Sequence, residues 1–286
     1  MTSAPLTRPG APALRSRIEA IERVIARDPG RRGIAGLAQP GTLERAAQSL
    51  LGARTVGILS GFYLPVPKVG ETDGPPGAKA LGEALTALGS TVIYLTDTLN
   101  APLFSALGLA RVETYRPGLL EALGLTQVVS IERPGRARDG RYYSMTARDI
   151  SEVTAPLDEV ALQALDRGLT VVAIGDGGNE IGMGNVADRV RRDIPHGETI
   201  ASVVGCDHLI VAGVSNWGAY GLVGALSLLT GKSLLPTILQ AEQDILAIVS
   251  AGAADGQTFR NEPTVDNLPL AANLAVLDEI RAVVAG

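Results

Sequence analysis

Residues 169–184 read LTVVAIGDGGNEIGMG, an apolar run that ends abruptly in glycines and polar side chains. The β-branched run 169–174 is typical of a parallel strand that is buried on both faces. The next ten residues hold five glycines and two carboxylates, so the backbone can take positive φ where the strand ends. Because ligands in open α/β sheets bind at the carboxyl ends of strands, this stretch indicates a binding site rather than only a tight turn.

Strand and helix patterns alternate from residue 55 to the end of the chain. This alternation predicts parallel strands joined by right-handed helical crossovers. Before it, apolar residues at helical spacing predict a helix over 14–25, and a second helix is expected over 42–52. The predicted strands are 55–60, 91–97, 111–115, 126–132, 169–174 and 206–214. The predicted helices after the first strand are 73–89, 101–107, 156–167, one from about 180, 216–229, 239–249 and 270–284.

The expected fold class is therefore α/β, with a doubly wound, mostly parallel sheet flanked by helices (Rossmann-like) and an N-terminal helical extension. No internal repeat, low-complexity segment or linker interrupts the chain, so we expect a single α/β domain over 1–286. Within it, 1–52 is the N-terminal helical segment and 53–286 holds the sheet and its crossover helices. A hydrophobic fraction of 46% with only 3% aromatics predicts a large aliphatic core.

Charge and cysteine content argue against several classes of protein. The formal net charge of −5 argues against a nucleic-acid partner, since nucleic-acid-binding proteins carry a basic surface. The single cysteine, Cys206, excludes a disulfide framework and fits a reducing compartment, so we expect a cytoplasmic protein. The first ten residues lack the apolar segment of a secretory signal peptide. The uncharged segment 209–231 breaks at Ser215-Asn216 and is interpreted as a buried strand and helix, not a membrane span.

Polar side chains stand at the carboxyl ends of five predicted strands. Since these ends share one edge of the sheet, we expect them to line a polar pocket. An acid at such a position is also a frequent helix N-cap, and that alternative stays open for Asp73 and Asp97. Arg31 and Arg32 form either a solvated surface pair or a contact with an anionic group. The strand-end residues are Ser60, Gly61, Asp97, Glu132, Arg133, Asp176, Ser215 and Asn216, and the loop after the first strand adds Lys68, Glu71, Thr72, Asp73 and Lys79.

Two nucleotide-binding signatures are absent from the sequence. No Gly-x-Gly-x-x-Gly opens the first strand–helix unit, and no Walker lysine motif occurs. The sequence GDGGNE at 175–180 resembles the late Mg²⁺-binding motif of haloacid-dehalogenase-like phosphatases. Those enzymes also need a nucleophilic Asp-x-Asp after the first strand, where this chain has Ser60-Gly61-Phe62. A Mg²⁺-dependent phosphatase is therefore an alternative that lacks its nucleophile.

Three longer motifs, in this order along the chain, resemble the D-glutamate cyclase family. They are SGF at 60–62 followed by ETDGPPGA at 71–78, SIERPG at 130–135, and IGDGGNEIGMG at 174–184. The resemblance extends from about Arg31 to Asp266 and is to the domain that forms the C-terminal part of the two-domain mitochondrial enzyme and stands alone in bacteria. The chain departs from the family pattern at Ser60, where threonine is expected, and at Asn267, where glycine is expected.

The resemblance implies that the α-amine of D-glutamate attacks its own γ-carboxyl and forms 5-oxo-D-proline and water. Such a ring closure gains most from holding the substrate folded. It also needs a base for the ammonium, and an acid, a lysine or a metal ion for the γ-carboxylate. An arginine or helix N-terminal amides suit the α-carboxylate. A non-catalytic module that binds an acidic amino acid is the alternative function.

These demands define the residues expected at the site, and the partner is a small-molecule substrate. No cofactor is certain, but Mn²⁺ or Mg²⁺ on Asp176 and Glu180 is a candidate; direct binding of the substrate ammonium by the same acids is the alternative. A homo-oligomer is consistent with general frequency only. The expected catalytic residues are Asp176, Glu180, Glu132 and Lys79. The expected substrate-binding residues are Ser60, Gly61, Glu71, Thr72, Asp73, Arg133, Gly177, Asn179, Ser215 and Asn216.

Overall fold

A parallel sheet of six strands organises residues 11–286, the part of the chain that the computed structural model describes. The strands in chain order are β1 (Thr55–Ser60), β2 (Tyr63–Leu64), β3 (Val69–Gly70), β4 (Thr91–Thr96), β5 (Val112–Thr114), β6 (Gln127–Ile131), β7 (Thr170–Gly175), β8 (His208–Val211), β9 (Thr264–Val265) and β10 (Leu268–Pro269). The large sheet has the order β5-β4-β1-β6-β7-β8, while β2 with β3 and β9 with β10 form two small antiparallel hairpins.

Helices cover both faces of the sheet. They are α1 (Ala11–Ile25), α2 (Thr42–Leu50), α3 (Pro75–Ala87), α4 (Ala101–Ala106), α5 (Leu119–Ala122), α6 (Asp158–Asp166), α7 (Ala187–Asp193), α8 (Gly197–Ile200), α9 (Ser215–Thr230), α10 (Ile238–Ser250) and α11 (Leu270–Ala285). The helix α9 is buried over nearly its whole length and contacts α1, α2, α3 and α11. On the opposite face, α5 and α6 pack against the sheet through a second aliphatic cluster.

The order of the six strands places a binding crevice at a defined point. Numbered along the chain, the order is 3-2-1-4-5-6, and every neighbouring pair is parallel, as in doubly wound Rossmann sheets. The direction of winding reverses between β1 and β6, so the carboxyl ends of these strands border the crevice in which such sheets bind ligands. The predicted fold class is confirmed.

The strand predictions agree with the structure to within one residue at each end for five of the six strands. The sixth prediction, 206–214, is too long, because β8 is an edge strand that pairs only over its four central residues. The helix expected from about 180 is wrong: the chain continues as a loop into a 3₁₀ turn, and α7 begins at Ala187. Gly182 in this loop has a φ of 95°, which a helix excludes.

Two further expectations concern membranes and secretion. Within residues 11–286, none of the helices combines the length and apolar character that crossing a bilayer requires. The stretch in which we expect no signal peptide lies outside the described residues. The single-domain assignment stays a prediction.

A buried ion pair ties together the strand ends beside the crevice. Arg133, only 1% exposed, donates through Nη1 to Asp97 Oδ2 at 2.5 Å and to the carbonyl of Gly61 at 2.7 Å, and through Nη2 to the carbonyl of Ala155 at 2.6 Å. Asp97 Oδ1 also accepts from the amides of Leu99 and Asn100, so it stabilises the turn before α4. The sequence assigned Arg133 to substrate binding, but the structure buries its guanidinium against protein acceptors.

We predict that Asp97→Asn destabilises the fold strongly, because it leaves the Arg133 charge buried without its partner. Removing one member of a buried pair costs about 3–5 kcal/mol of unfolding free energy. Urea unfolding measures this loss. Asp149→Asn is the matched control, since Asp149 pairs with Arg141 on the surface, where such a pair contributes less than about 1 kcal/mol. Equal losses in the two variants would contradict a structural role for the Arg133–Asp97 pair.

Candidate active site

A cavity of about 500 Å³ lies next to the carboxyl ends of β6 and β7. Its apolar wall includes Phe62, Leu64, Met145 and Phe259. Its polar lining consists of Arg32, Glu71, Glu132, Ser144, Thr146, Arg148, Asp176, Asn179, Gln257 and Asp266. A second cavity, about 510 Å³ in volume, lies beside α1 and α2 and contains none of the predicted site residues. The first cavity is therefore the candidate site.

The candidate site is surrounded by buried acids. One carboxylate oxygen from each of Asp73, Glu132 and Asp176 lies within 4.8 Å of the others. Glu71, Glu180 and Asp266 also contribute to the electrostatic field of this group, which makes six carboxyl groups in one cluster. Within residues 11–286, the guanidinium that pairs with the cluster is that of Arg32. The site thus carries a large excess of acidic over basic groups.

Asp73 and Asn216 cap each other's helices. Asp73 accepts hydrogen bonds from the backbone amides of Ser215 and Asn216, both at 2.8 Å, at the start of α9. In return, Asn216 Oδ1 accepts from the amides of Gly74 and Gly77 at the start of α3. Asp73 is therefore a cap, as one alternative allowed, but of α9 and not of its own helix α3. This exchange fixes two helix N-termini beside the acid cluster.

Thr72 and Ser215 make further hydrogen bonds beside the Asp73–Asn216 pair. The carbonyl of Thr72 accepts from Asn216 Nδ2, and its hydroxyl donates to the carbonyl of Thr264 at 2.8 Å. The hydroxyl of Ser215 donates to Glu132 Oε2 at 2.6 Å. Ser215 thus contacts a cavity-lining acid, whereas Thr72 holds the backbone that carries Asp73.

Glu180 holds the loop after β7 in shape. Its carboxylate accepts from the amides of Asp176, Gly177 and Gly178 at 3.2, 2.6 and 2.7 Å. Both oxygens are thereby bonded to the loop, and the metal pair of Asp176 and Glu180 stays a prediction. A Cβ at Gly177 would lie 2.5 Å from the sulfur of Met145, so a larger residue there would displace the methionine side chain.

Arg32 and Asp266 line the cavity, although sequence reasoning did not assign them to the site. Arg32 Nη2 lies 3.0 Å from Asp176 Oδ2, 3.1 Å from Asp266 Oδ2 and 2.6 Å from the carbonyl of Gly213. Of the two alternatives for the Arg31–Arg32 pair, contact with an anionic group is thus correct for Arg32.

Asp266 stands at the tip of the hairpin between β9 and β10. Asp266 and Asn267 have φ values of 53° and 61°, as a two-residue type I′ hairpin requires. Asparagine tolerates this conformation, so the departure from glycine at 267 is accommodated. The sequence feature that could have indicated Asp266 is its position as an acid in the turn Val265-Asp266-Asn267.

Glu71 and Glu132 face the cavity in different ways. Glu132 follows β6 with a φ of 46°, a conformation that is rare for residues other than glycine. Glu71 is buried, and its Oε1 has no hydrogen-bond partner among the described residues. The hydroxyl of Ser60 is likewise buried without one, but Ser60 is not among the residues that line the cavity. A buried polar atom without a partner next to a cavity indicates a group that a ligand can engage.

Burial raises the pKa of every cavity-lining acid in the cluster. Desolvation and then the Asp176 charge hold the pKa of Glu132 well above its usual range, and desolvation followed by Asp266 does so for Glu71. The pKa of Asp266 is raised by burial and by Asp176. Burial raises the pKa of Asp176 to about 7, although Arg32 lowers it.

Burial and the charge of Asp266 raise the pKa of Asp73 to about 7, although hydrogen bonds from the backbone amides of Asn216 and Ser215 lower it. The cluster therefore combines carboxyl groups whose pKa is raised well above the usual range with two, Asp73 and Asp176, whose pKa is about 7. Paired groups of this kind are able to act as acid and base.

The remaining predicted residues divide between the cavity and its surroundings. Lys79 lies outside the cavity, because its Nζ pairs with Asp244 of α10 at 2.6 Å. Asn179 lines the cavity and donates to the carbonyl of Tyr143 at 2.7 Å. Gly61 has a φ of 104°, and its carbonyl accepts a hydrogen bond from Arg133. Of the four expected catalytic residues, the cavity thus brings together Asp176 and Glu132.

Comparison with known proteins agrees with the motifs. A family described as "D-glutamate cyclase-like, C-terminal" matches residues 21–281. The human protein "D-glutamate cyclase, mitochondrial" is 38% identical over 240 residues, which is 74% of this chain and 39% of the human protein. The chain thus spans about two fifths of that relative. Neither match supports the phosphatase alternative. The chain belongs to the D-glutamate cyclase-like C-terminal family.

Proposed function

We propose that this chain converts D-glutamate into 5-oxo-D-proline and water. The observation that carries the proposal is a cavity lined by Glu71, Glu132 and Asp176, in which burial raises the pKa of all three carboxyl groups. The family and the similarity to the human cyclase support the choice of substrate.

The proton balance of the reaction fits such a cluster. Over the whole cyclisation, the ammonium nitrogen loses two protons, and the departing γ-carboxyl oxygen gains two and leaves as water. The reaction therefore consumes no net proton but needs a base and an acid within reach of one substrate. In our proposal Asp176, with its pKa near 7, takes protons from nitrogen, and Glu71 or Glu132 gives them to oxygen.

The acids also prepare the electrophile. An ionised carboxylate resists attack by an amine, whereas a protonated carboxyl group accepts it more readily. A site with excess negative charge favours the neutral form of a bound γ-carboxyl for the same electrostatic reason that it raises the pKa of its own acids. The cavity would in addition hold the chain of the substrate folded, which is the main requirement of an intramolecular ring closure.

We also propose that Asp73, Glu132 and Asp176 are able to hold a divalent cation such as Mn²⁺ or Mg²⁺. Their oxygens lie close enough to share one ion, and carboxylates are the ligands that these hard cations prefer. When bound, a cation of this kind supplies polarisation of a substrate carboxyl. A cation and bound protons are alternative ways of offsetting the same negative charge, so cation binding would require Glu132 to ionise.

The cellular setting and assembly remain proposals too. The single cysteine, Cys206, is consistent with a cytoplasmic protein, while the human relative is named as mitochondrial. A homo-oligomer is proposed from general frequency only.

We predict that the purified chain releases 5-oxoproline from D-glutamate and much less from L-glutamate, as followed by chromatography. Asp176→Asn should lower kcat by a factor on the order of 10² to 10⁴, because it removes the base. Lys79→Met is the control and should keep its activity, since Lys79 pairs with Asp244 outside the cavity. Thermal stabilisation by D-glutamate without turnover would instead favour the binding-module alternative. Full activity of Asp176→Asn would contradict the assigned base.

We predict that Glu71→Gln makes the fold less sensitive to pH. Desolvation raises the pKa of Glu71 well above its usual range in the folded chain, whereas the unfolded chain ionises this group above about pH 4.3. The free energy of unfolding therefore falls as the pH rises from that value towards the folded-state pKa. Glutamine is neutral throughout, so the variant should be more stable than the wild type at pH 8 and have a flatter profile in urea unfolding between pH 5 and 8. The exposed Glu198→Gln is the control, and a wild-type profile for Glu71→Gln would contradict the prediction.

We predict that Mn²⁺ raises the melting temperature of the wild-type chain and has little effect on Glu132→Gln. Binding to the folded state alone stabilises it by mass action, and the substitution removes one of the three ligands. Asp244→Asn, which changes a carboxylate outside the cavity, should keep the full shift. An equal shift in all three proteins would place the cation elsewhere.

A further inference from the structure

Among the described residues, two basic side chains line the cavity, and only one of them is already paired with protein groups. Arg32 is engaged with Asp176, Asp266 and the carbonyl of Gly213. Arg148 is exposed, and within residues 11–286 its guanidinium makes no hydrogen bond or ion pair. Arg148 is therefore the cation that remains available at the mouth of an acidic cavity.

The backbone of Arg148 is fixed relative to the acids. Its amide donates to Ser144 Oγ and its carbonyl accepts from the amide of Ser144, which closes a tight turn in which Ala147 has a φ of 56°. The start of this turn is attached to the loop after β7, since Asn179 donates to the carbonyl of Tyr143. A flexible side chain thus extends from a backbone position set by the same loop that carries Asp176.

The charges of the substrate suit this arrangement. D-glutamate brings one ammonium and two carboxylates, and the acid cluster favours the ammonium. The γ-carboxyl has to react, and a guanidinium beside it would keep it ionised and less electrophilic. The α-carboxylate stays ionised throughout the reaction, and the planar fork of an arginine binds such a group with two parallel hydrogen bonds.

We propose that Arg148 binds the α-carboxylate of the substrate and selects for a free α-amino acid. This inference rests on the proposed function. The γ-carboxyl then lies at Glu71 and Glu132, deep in the cavity, and the ammonium lies at Asp176. Three attachment points on one chiral centre and its side chain also distinguish the D from the L enantiomer.

The test compares Arg148→Gln with Arg141→Gln, a variant seven residues earlier in the same loop, whose native guanidinium pairs with Asp149 on the surface. We expect Arg148→Gln to raise KM for D-glutamate about 10- to 100-fold, the loss typical of a charge-assisted contact, with a smaller effect on kcat. The α-amide of D-glutamate lacks the α-carboxylate but keeps the reacting groups, so its KM should be nearly the same in wild type and Arg148→Gln. Arg141→Gln should match wild type with both substrates.

Calorimetric titration with D-glutamate separates this inference from the proposed function. A wild-type chain that binds D-glutamate without turnover would overturn the cyclase proposal, and a Kd raised in Arg148→Gln alone would still support Arg148. Active variants with equal KM for D-glutamate would overturn the role of Arg148 and leave the cyclase proposal intact. An equal loss of affinity for D-glutamate and its α-amide in Arg148→Gln would overturn it too. No binding of D-glutamate by the wild type would overturn both.

Discussion

The clustering of six carboxyl groups beside the guanidinium of Arg32 is the constraint on which the site depends. Arg32 contacts Asp176 and Asp266 but supplies one positive charge to the whole cluster. Isolated buried carboxylates are very costly, so such a cluster takes up protons, a cation or a cationic ligand. A substrate ammonium satisfies this requirement directly. Desolvation and the excess of negative charge raise the pKa of Glu71 and Glu132, and the same charge would favour the amino-acid substrate that we propose.

The backbone separates acids that shape the site from acids that are free to react. Glu180 accepts hydrogen bonds from three backbone amides, so its oxygens hold the loop after β7 in shape. Glu71 presents an oxygen without a partner. Residue type does not reveal this division, because both groups are buried glutamates and aspartates. The hydrogen-bond partners of each carboxyl decide it.

This explains how much the sequence could predict. Apolar periodicity predicts the strands and crossovers because burial on a parallel sheet requires that pattern, and Asp176 and Glu132 follow from the strand ends. Arg32 precedes the sheet, and Asp266 lies in a late hairpin, so no local pattern indicates that they meet. Likewise, no spacing shows that Lys79 points to Asp244. Long-range pairing, which sequence periodicity does not contain, determines these contacts.

Arg133 does not line the cavity, but its contacts fix the backbone next to Glu132, which does. Glu132 has a φ of 46°, and such conformations cost of order 1 kcal/mol and persist only where the surroundings hold them. The next residue, Arg133, is fixed to Asp97 and to the carbonyls of Gly61 and Ala155. With Arg133 anchored towards β1 and β4, Glu132 is directed towards the cavity, where the hydroxyl of Ser215 meets it. The buried ion pair therefore maintains the strained position of an acid that it does not touch.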